Sequence, residues 1–175
     1  MSEHTGMHEG HNPHDATGKK VGALAALLAI GLTLVTIQSH RMHTHGIVAR
    51  SEANDQWAFY QSKRIKYHTV ELGLDLIHAQ GLKGDPAEKT IEKLSAEKER
   101  QSKESKEIKE KAEEKEKESH HAEERALRFD FAEGLFEIAL VMSSLYFLSH
   151  KKLFPAVGLL AGTAGLVVGI LGFLK

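Results

Sequence analysis

The segment Val21–Ile37 reads VGALAALLAIGLTLVTI, which is 17 consecutive residues without a charged side chain. A helix that crosses the hydrocarbon core of a bilayer needs about 20 mostly apolar residues, so this segment predicts a membrane span over residues 20–38. A cleaved signal peptide is the alternative. The preceding residues are His-rich rather than a short basic region, and no small-x-small cleavage site follows. An uncleaved membrane anchor is therefore the favoured interpretation.

Two more segments of the chain are long and apolar enough to cross a membrane. Leu153–Leu174 carries no charge over 22 residues, and Phe131–Leu148 is apolar apart from Glu133 and Glu137. Because lipid offers the backbone no hydrogen bonds, such segments must be helices whose backbone bonds close internally. The sequence therefore predicts an all-α integral membrane protein with three transmembrane helices. The predicted spans are residues 20–38, 130–149 and 153–174.

The chain between the first two spans, residues 39–129, is polar and strongly charged. The run Gly81–Pro86 reads as a turn, and it separates two arms of 44 residues each, 39–82 and 86–129. Equal arms suit one helix that leaves the membrane and another that returns to it. We therefore expect a long extramembrane antiparallel helical hairpin, similar to a coiled coil, with its turn at residues 81–86.

Each arm carries a seam in which residues recur at alternating spacings of three and four, the pattern of a left-handed coiled coil. The predicted seam of the first arm consists of Ala58, Ser62, Ile65, Thr69, Leu72, Leu76 and Ala79. The predicted seam of the second arm consists of Ala87, Ile91, Leu94, Lys98, Gln101, Ser105, Ile108, Ala112, Lys115, Ser119, Ala122, Ala126 and Phe129. Pairing of these two seams would hold the arms together.

A second stripe of large side chains on the first arm would stay uncovered by this pairing. Its members are Trp57, Tyr60, Tyr67, Leu74 and Ile77. Uncovered aromatic and aliphatic stripes of this kind mark protein contacts. We expect these residues to contact either another copy of the chain or a different subunit.

Small residues recur with a similar rhythm in two of the predicted spans. The third span carries Gly158, Gly162, Gly165, Gly169 and Gly172, and the first carries Gly22, Ala26, Ala29, Thr33 and Thr36. Small faces let helix backbones approach closely in a membrane. These faces predict helix packing within a protomer or between protomers. The alternative is that the glycines are present only because glycine is common in membrane spans.

Two acidic side chains, Glu133 and Glu137, share one face of the second predicted span. An ionised carboxylate deep in the membrane costs about 2.5–3.5 kcal/mol on insertion scales, so Glu137 should be protonated, paired or directed into a polar cavity. One interpretation is a proton or cation pathway. The plainer one is a carboxyl group that hydrogen-bonds to the neighbouring helix through Thr33 or Thr36.

Seven of the 12 histidines lie in two clusters, one on each side of the first predicted span. Residues 1–19 form a His-rich tail that we expect to be flexible. The clusters are His4, His8, His11 and His14 in this tail, and His40, His43 and His45 after the span. They fall on opposite sides of the membrane and cannot share one ion. Weak binding of Cu, Ni or Zn by the tail is the metal chemistry that this pattern allows, and no cofactor is predicted.

Composition and missing motifs narrow the range of functions. The formal net charge of −1 argues against a nucleic-acid binder, which needs surplus cation, and the absence of cysteine excludes disulfides and thiolate metal sites. The sequence contains no glycine-rich phosphate loop, no G-x-S-x-G and no H-E-x-x-H. The chain is therefore predicted not to be an enzyme, and its expected partners are the lipid bilayer and other membrane proteins.

Basic residues give a weak indication of orientation. Short segments next to the spans carry Lys19, Lys20, Lys151 and Lys152 on one side, whereas long loops cross membranes largely regardless of their charge. The positive-inside tendency then favours a multi-pass protein of the bacterial inner membrane, with a cytoplasmic N-terminus and a periplasmic hairpin.

Two stretches resemble a known family. Ala53–Ile65 reads ANDQWAFYQSKRI and Phe136–Ser144 reads FEIALVMSS, and both look like the bacterial membrane-protein family known as domain of unknown function 4337. The resemblance extends from about Gly18 to Lys175 and implies a first span, a W-A-x-Y-Q helix, a charged returning helix and two final spans. A neutral polar residue is usual in the family where Glu137 stands, and the family carries no established activity.

These observations favour a non-enzymatic membrane scaffold or accessory subunit that self-associates or joins a larger membrane complex. Its working surfaces would be the hairpin and the small-residue faces of the spans. The alternative is a protein that handles ions, protons or transition metals, using Glu137 or the histidine clusters.

Overall fold

The computed structural model describes residues 16–174, and within them the chain is helical with no strands. Helix α1 is Ala16–Ala79, α2 is Asp85–Ser149 and α3 is Leu153–Leu174. Each helix contains a segment that is long and apolar enough to cross a membrane. The predicted all-α class is thus confirmed, with three helices suited to membrane spans.

The chain divides into two compact units. The first, which we call the span unit, contains described residues 16–39 and 127–174. The second, the charged unit, is His40–Ala126. Both α1 and α2 contribute to each unit, whereas α3 belongs to the span unit alone.

Short connections join the helices. Between α1 and α2 the backbone reverses at Gly81 and Gly84, whose φ angles are 63° and 105°. Positive φ is readily adopted by glycine because it has no Cβ, so these two residues allow α1 to stop at Ala79 and α2 to start at Asp85. Between α2 and α3 the positive φ of 55° belongs to His150.

The span unit is packed around the glycine face of α3. All five predicted glycines are buried, as listed here: Gly158, Gly162, Gly165, Gly169 and Gly172. They lie against α2 and against large side chains of α1, with Leu28 over Gly162 and Val35 over Gly169. In the described part of the chain, the small residues of the first span are not among the nearest neighbours of these glycines. Among them, Gly22, Ala26, Ala29 and Thr33 are exposed.

In the charged unit, one of the two predicted seams lies on an exposed face of its helix. Every position of the predicted α2 seam is buried or half-buried. The predicted α1 seam is wrong, since Ile65, Leu72 and Leu76 are 67%, 58% and 51% exposed. The face of α1 that packs on α2 instead begins with small residues at Gly46, Ala49 and Ala53 and continues through larger residues.

Candidate interaction surfaces

Ion pairs join α1 to α2 along the charged unit. The Lys115 ammonium lies 2.8 Å from the Glu52 carboxylate and the Lys98 ammonium lies 2.8 Å from that of Glu71. Lys63 and Glu104 form a third pair between them. Residue numbers rise along α1 as those of the partners fall along α2.

Five charged groups in this part of the protein have pKa values that their ion-pair partners shift. The hydrogen bond from Lys98 lowers the pKa of Glu71, and the one from Lys63 lowers the pKa of Glu104. Lys115 likewise lowers the pKa of Glu118. In the opposite direction, Glu71 raises the pKa of Lys98 and Glu52 raises the pKa of Lys115. All of these groups favour their charged forms in the folded protein.

Acid should loosen the pairing of the two helices. A carboxyl whose pKa is lowered by folding stabilises the folded state above its ordinary value, here 4.5, and that contribution is lost as the pH falls through the lower folded value. We therefore expect the thermal midpoint of the detergent-solubilised protein to fall between about pH 6 and about pH 2. The fall should be modest because these pairs are exposed to solvent.

The matched control for this prediction is the triple variant Glu71→Gln, Glu104→Gln, Glu118→Gln. This variant should already have a lower thermal midpoint at neutral pH. Its thermal midpoint should then decrease less in acid than that of the parent. An acid response as large in this variant as in the parent would show that other groups cause it. The lysines have the opposite pH dependence. Because folding raises the pKa of Lys98 above its ordinary value of 10.5, its contribution to stability is present below that value and is lost as the pH rises through the folded pKa.

The aromatic stripe predicted to be uncovered lies largely within the helix pair. Leu74 is 8% exposed, while Trp57, Tyr60, Tyr67 and Ile77 are half-buried. The Tyr67 ring is 5.2 Å from the ammonium of Lys98 on the opposite helix. These five side chains are therefore buried or half-buried in the charged unit, and only an edge of the stripe remains exposed to a partner.

A groove in the charged unit keeps one part of this edge open. It has a volume of about 310 Å³ and is bounded by Trp57 and Ala53 of α1 and by Ser119 and His120 of α2. The Trp57 ring meets the Tyr60 ring edge-on at 5.6 Å between centroids. Trp57 thus remains reachable from solvent along this groove.

The exposed apolar surface of α1 contains the predicted seam of this helix, from Ala58 to Ala79, and continues beyond it to Val48. We call it the outer stripe, and it runs at alternating spacings of three and four through Val48, Ser51, Asp55, Ala58, Ser62, Ile65, Thr69, Leu72, Leu76 and Ala79. Ile65 is its most exposed large side chain, at 67%. The sequence signal for this surface was the presence of two apolar stripes on one helix.

The acidic residues of the span unit divide into paired and unpaired groups. The Thr36 hydroxyl donates to Glu133 Oε1 at 2.8 Å, and Ser39 donates to Asp130. Glu137 is exposed, and it has no hydrogen-bond or ion-pair partner among residues 16–174. The hydrogen bond expected between Glu137 and Thr33 or Thr36 is therefore not formed, since Thr33 donates to the Ala29 carbonyl and Thr36 donates to Glu133.

The histidines do not form a metal site within the described part of the chain, where no group of three or more suitable ligands converges. His45 Nε2 lies 3.2 Å from Glu118 Oε1, and His40 and His43 lie on exposed positions of the same helix. The predicted cluster of His4, His8, His11 and His14 lies outside the described residues.

Comparison with known proteins gives one match. The family model described as Domain of unknown function (DUF4337) matches residues 17–175. Neither a curated protein nor a solved structure matches the chain.

Proposed function

The chain belongs to the family described as Domain of unknown function (DUF4337), and from that premise we propose that it is a non-enzymatic membrane scaffold or accessory subunit. In this proposal the three apolar helical segments anchor the protein in the bilayer. The charged unit is an antiparallel helical hairpin in water that presents a contact surface to other proteins.

The distribution of charge supports an aqueous hairpin. Between Pro86 and Arg128, 25 of 43 residues are charged, and charges in such numbers cannot enter lipid without a large desolvation cost. The ion pairs of Glu52 with Lys115 and of Glu71 with Lys98 cross between the helices. Several such links along two long helices favour a stiff support rather than a mobile loop.

The observation that carries the proposal is the outer stripe of α1. Ile65, Leu72 and Leu76 expose more than half of their surface, and they lie on one face at coiled-coil spacing. Large apolar side chains that stay exposed at regular intervals mark a protein contact. A scaffold requires such a face, whereas a simple membrane anchor does not.

Purification from native membranes in a mild detergent tests this function. We expect the tagged protein to be recovered in a complex of defined mass, made of several copies or of the chain with a second subunit. Recovery of the monomer alone under gentle extraction and after cross-linking in intact membranes would contradict the proposal.

We also propose that the protein lies in a bacterial inner membrane with its N-terminus in the cytoplasm and the hairpin in the periplasm. Lys19, Lys20, Lys151 and Lys152 in short flanking segments support this orientation. A reporter inserted after Gly84 that is active only in the periplasm should be active. Activity of a cytoplasmic reporter at the same site would reverse the assignment.

Proton or cation handling is the second candidate, and the state of Glu137 is the observation that favours it. This acid is exposed on an apolar helix and has no partner within residues 16–174, and acids at such depths commonly line ion pathways. If the candidate is right, proteoliposomes should show a proton or cation flux that Glu137→Gln abolishes. Equal leakage from Glu137→Gln, parent and empty liposomes would eliminate it.

A further inference from the structure

The outer stripe needs a partner, and the charged unit itself limits what that partner can be. The large apolar side chains exposed between His40 and Ala126 are Ile47, Val48, Phe59, Ile65, Leu72, Leu76 and Leu82. All of them belong to α1 or to the turn after it, and α2 contributes none over residues 85–126. The outward face of α2 is charged and cannot cover an apolar stripe.

We propose that the outer stripe of α1 pairs with the same stripe on a second copy of this chain, in register and with both helices parallel. The inference deepens the proposed scaffold function and rests on it. Because the stripe is the only extended apolar face among the described residues of the charged unit, its best complement within the same protein is itself. Such a pair is isologous, since each copy gives the same residues to the contact.

The size of the stripe is sufficient for a specific contact. Residues 48–79 span roughly 48 Å at 1.5 Å per residue, and a helix about 10 Å wide would bury roughly 480 Å² on each copy. The total of roughly 1,000 Å² reaches the lower bound of specific interfaces. Anchoring in one membrane adds to this by raising the effective concentration of the two stripes.

Spacing and flanking charge agree with a parallel arrangement. Two copies inserted with the same orientation in one membrane direct their α1 helices the same way. In a parallel coiled coil no like charges oppose each other beside the stripe, because the flanking residues that meet are Ile47 with Glu52, Asn54 with Phe59, Gln61 with Lys66, His68 with Gly73, and Asp75 with Gln80. Asp55 is the exception, since it lies at a core position and faces its own copy.

Cysteine cross-linking in the full-length protein tests the arrangement directly, because the chain contains no cysteine of its own. Leu72→Cys should give a disulfide-linked dimer in membranes under mild oxidation, since only in-register parallel pairing brings the two Cβ atoms within about 3.5–4.5 Å. The matched control is Ala96→Cys, an exposed position on α2 between Leu94 and Lys98, which lie against Gly73 and Glu71 of α1. We expect at least about tenfold less dimer from it.

Disruption and reinforcement provide the second measurement. Leu72→Glu should convert the cross-linkable dimer to monomer, whereas Leu82→Glu, at the turn and similarly exposed at 54%, should not. Asp55→Leu should increase the dimer fraction severalfold because it removes two opposed carboxylates from the core of the contact.

The outcomes separate this inference from the proposed function. Absence of the Leu72→Cys cross-link, together with an unchanged assembly in Leu72→Glu, overturns the pairing of stripes but leaves a scaffold that assembles through other surfaces. A parent protein that is itself monomeric and copurifies with no other subunit overturns both the pairing and the scaffold. A Leu72→Cys dimer that Leu82→Glu leaves intact supports the inference.

Discussion

Replacing Phe129 with alanine should destabilise the span unit by about 3 kcal/mol, which is the lower end of the range for truncating a buried phenylalanine to alanine. The side chain is 0% exposed. Its ring meets that of Phe173 edge-on at 5.1 Å and lies directly over Gly172 of α3. Truncation would leave a cavity between α2 and α3. The loss is at the lower end because lipid, unlike water, also solvates the ring when the helices separate.

Phe131→Ala is the matched control for this prediction. Phe131 lies two residues further along the same helix, but it is 65% exposed. Its truncation should change stability by less than about 0.5 kcal/mol. The midpoints of thermal unfolding in one mild detergent measure both effects, and equal shifts in Phe129→Ala and Phe131→Ala would show that Phe129 does not hold α2 on α3.

The helices themselves could be predicted from sequence because their signals are strong and local. Three apolar segments, a Gly-rich turn and one long charged arm define α1, α2 and α3 without knowledge of packing. The α2 seam could also be predicted, because its other faces are so densely charged that one face remained for the contact. Local composition therefore determined both the elements and the packed side of α2.

The packed side of α1 could not be predicted in the same way, because that helix carries two apolar stripes with nearly the same spacing. The stripe of Ile65 and Leu72 has the better aliphatic residues, yet it lies outside. Gly46, Ala49 and Ala53 are buried on the packed side, and a Cβ added to Gly46 would be at ordinary contact distance, 3.5 Å from Glu123 Cγ and 3.6 Å from Ala122 Cβ. Small residues of α1 therefore lie on the packed side here, and the same side of α1 includes the buried Leu74 further along.

A similar limit applies to the spans. The two small-residue faces were expected to be able to pack together, but the space over the α3 glycines is taken by large side chains of α1. Leu28 and Val35 of α1 lie over Gly162 and Gly169. The exposed small face of α1 includes Gly22, which has no neighbour within 4 Å of an added Cβ. Sequence spacing identifies a small face without identifying what covers it.

Gly158→Ala should destabilise the span unit by roughly 1–3 kcal/mol, although alanine is the better helix former. An added Cβ would lie 2.5 Å from Ser143 Oγ and 2.8 Å from the Ala139 carbonyl oxygen. The carbonyl belongs to the backbone of α2, so relief requires α2 and α3 to move apart along the whole contact. The gain in helix propensity of about 1 kcal/mol does not offset that movement.

Gly169→Ala is the matched control on the same helix, because its Cβ would lie 3.4 Å from Val35 Cγ2 and 3.7 Å from Ala132 Cβ, near ordinary contact. Its thermal midpoint should stay close to that of the parent. The double variant Gly158→Ala, Ser143→Ala separates the two clashes at Gly158. Ser143 Oγ is buried without a hydrogen-bond partner among the described residues, so its removal is harmless by itself and relieves one contact. Because the Ala139 carbonyl remains, recovery should be partial, and full recovery would show that the hydroxyl alone limits the approach of α3.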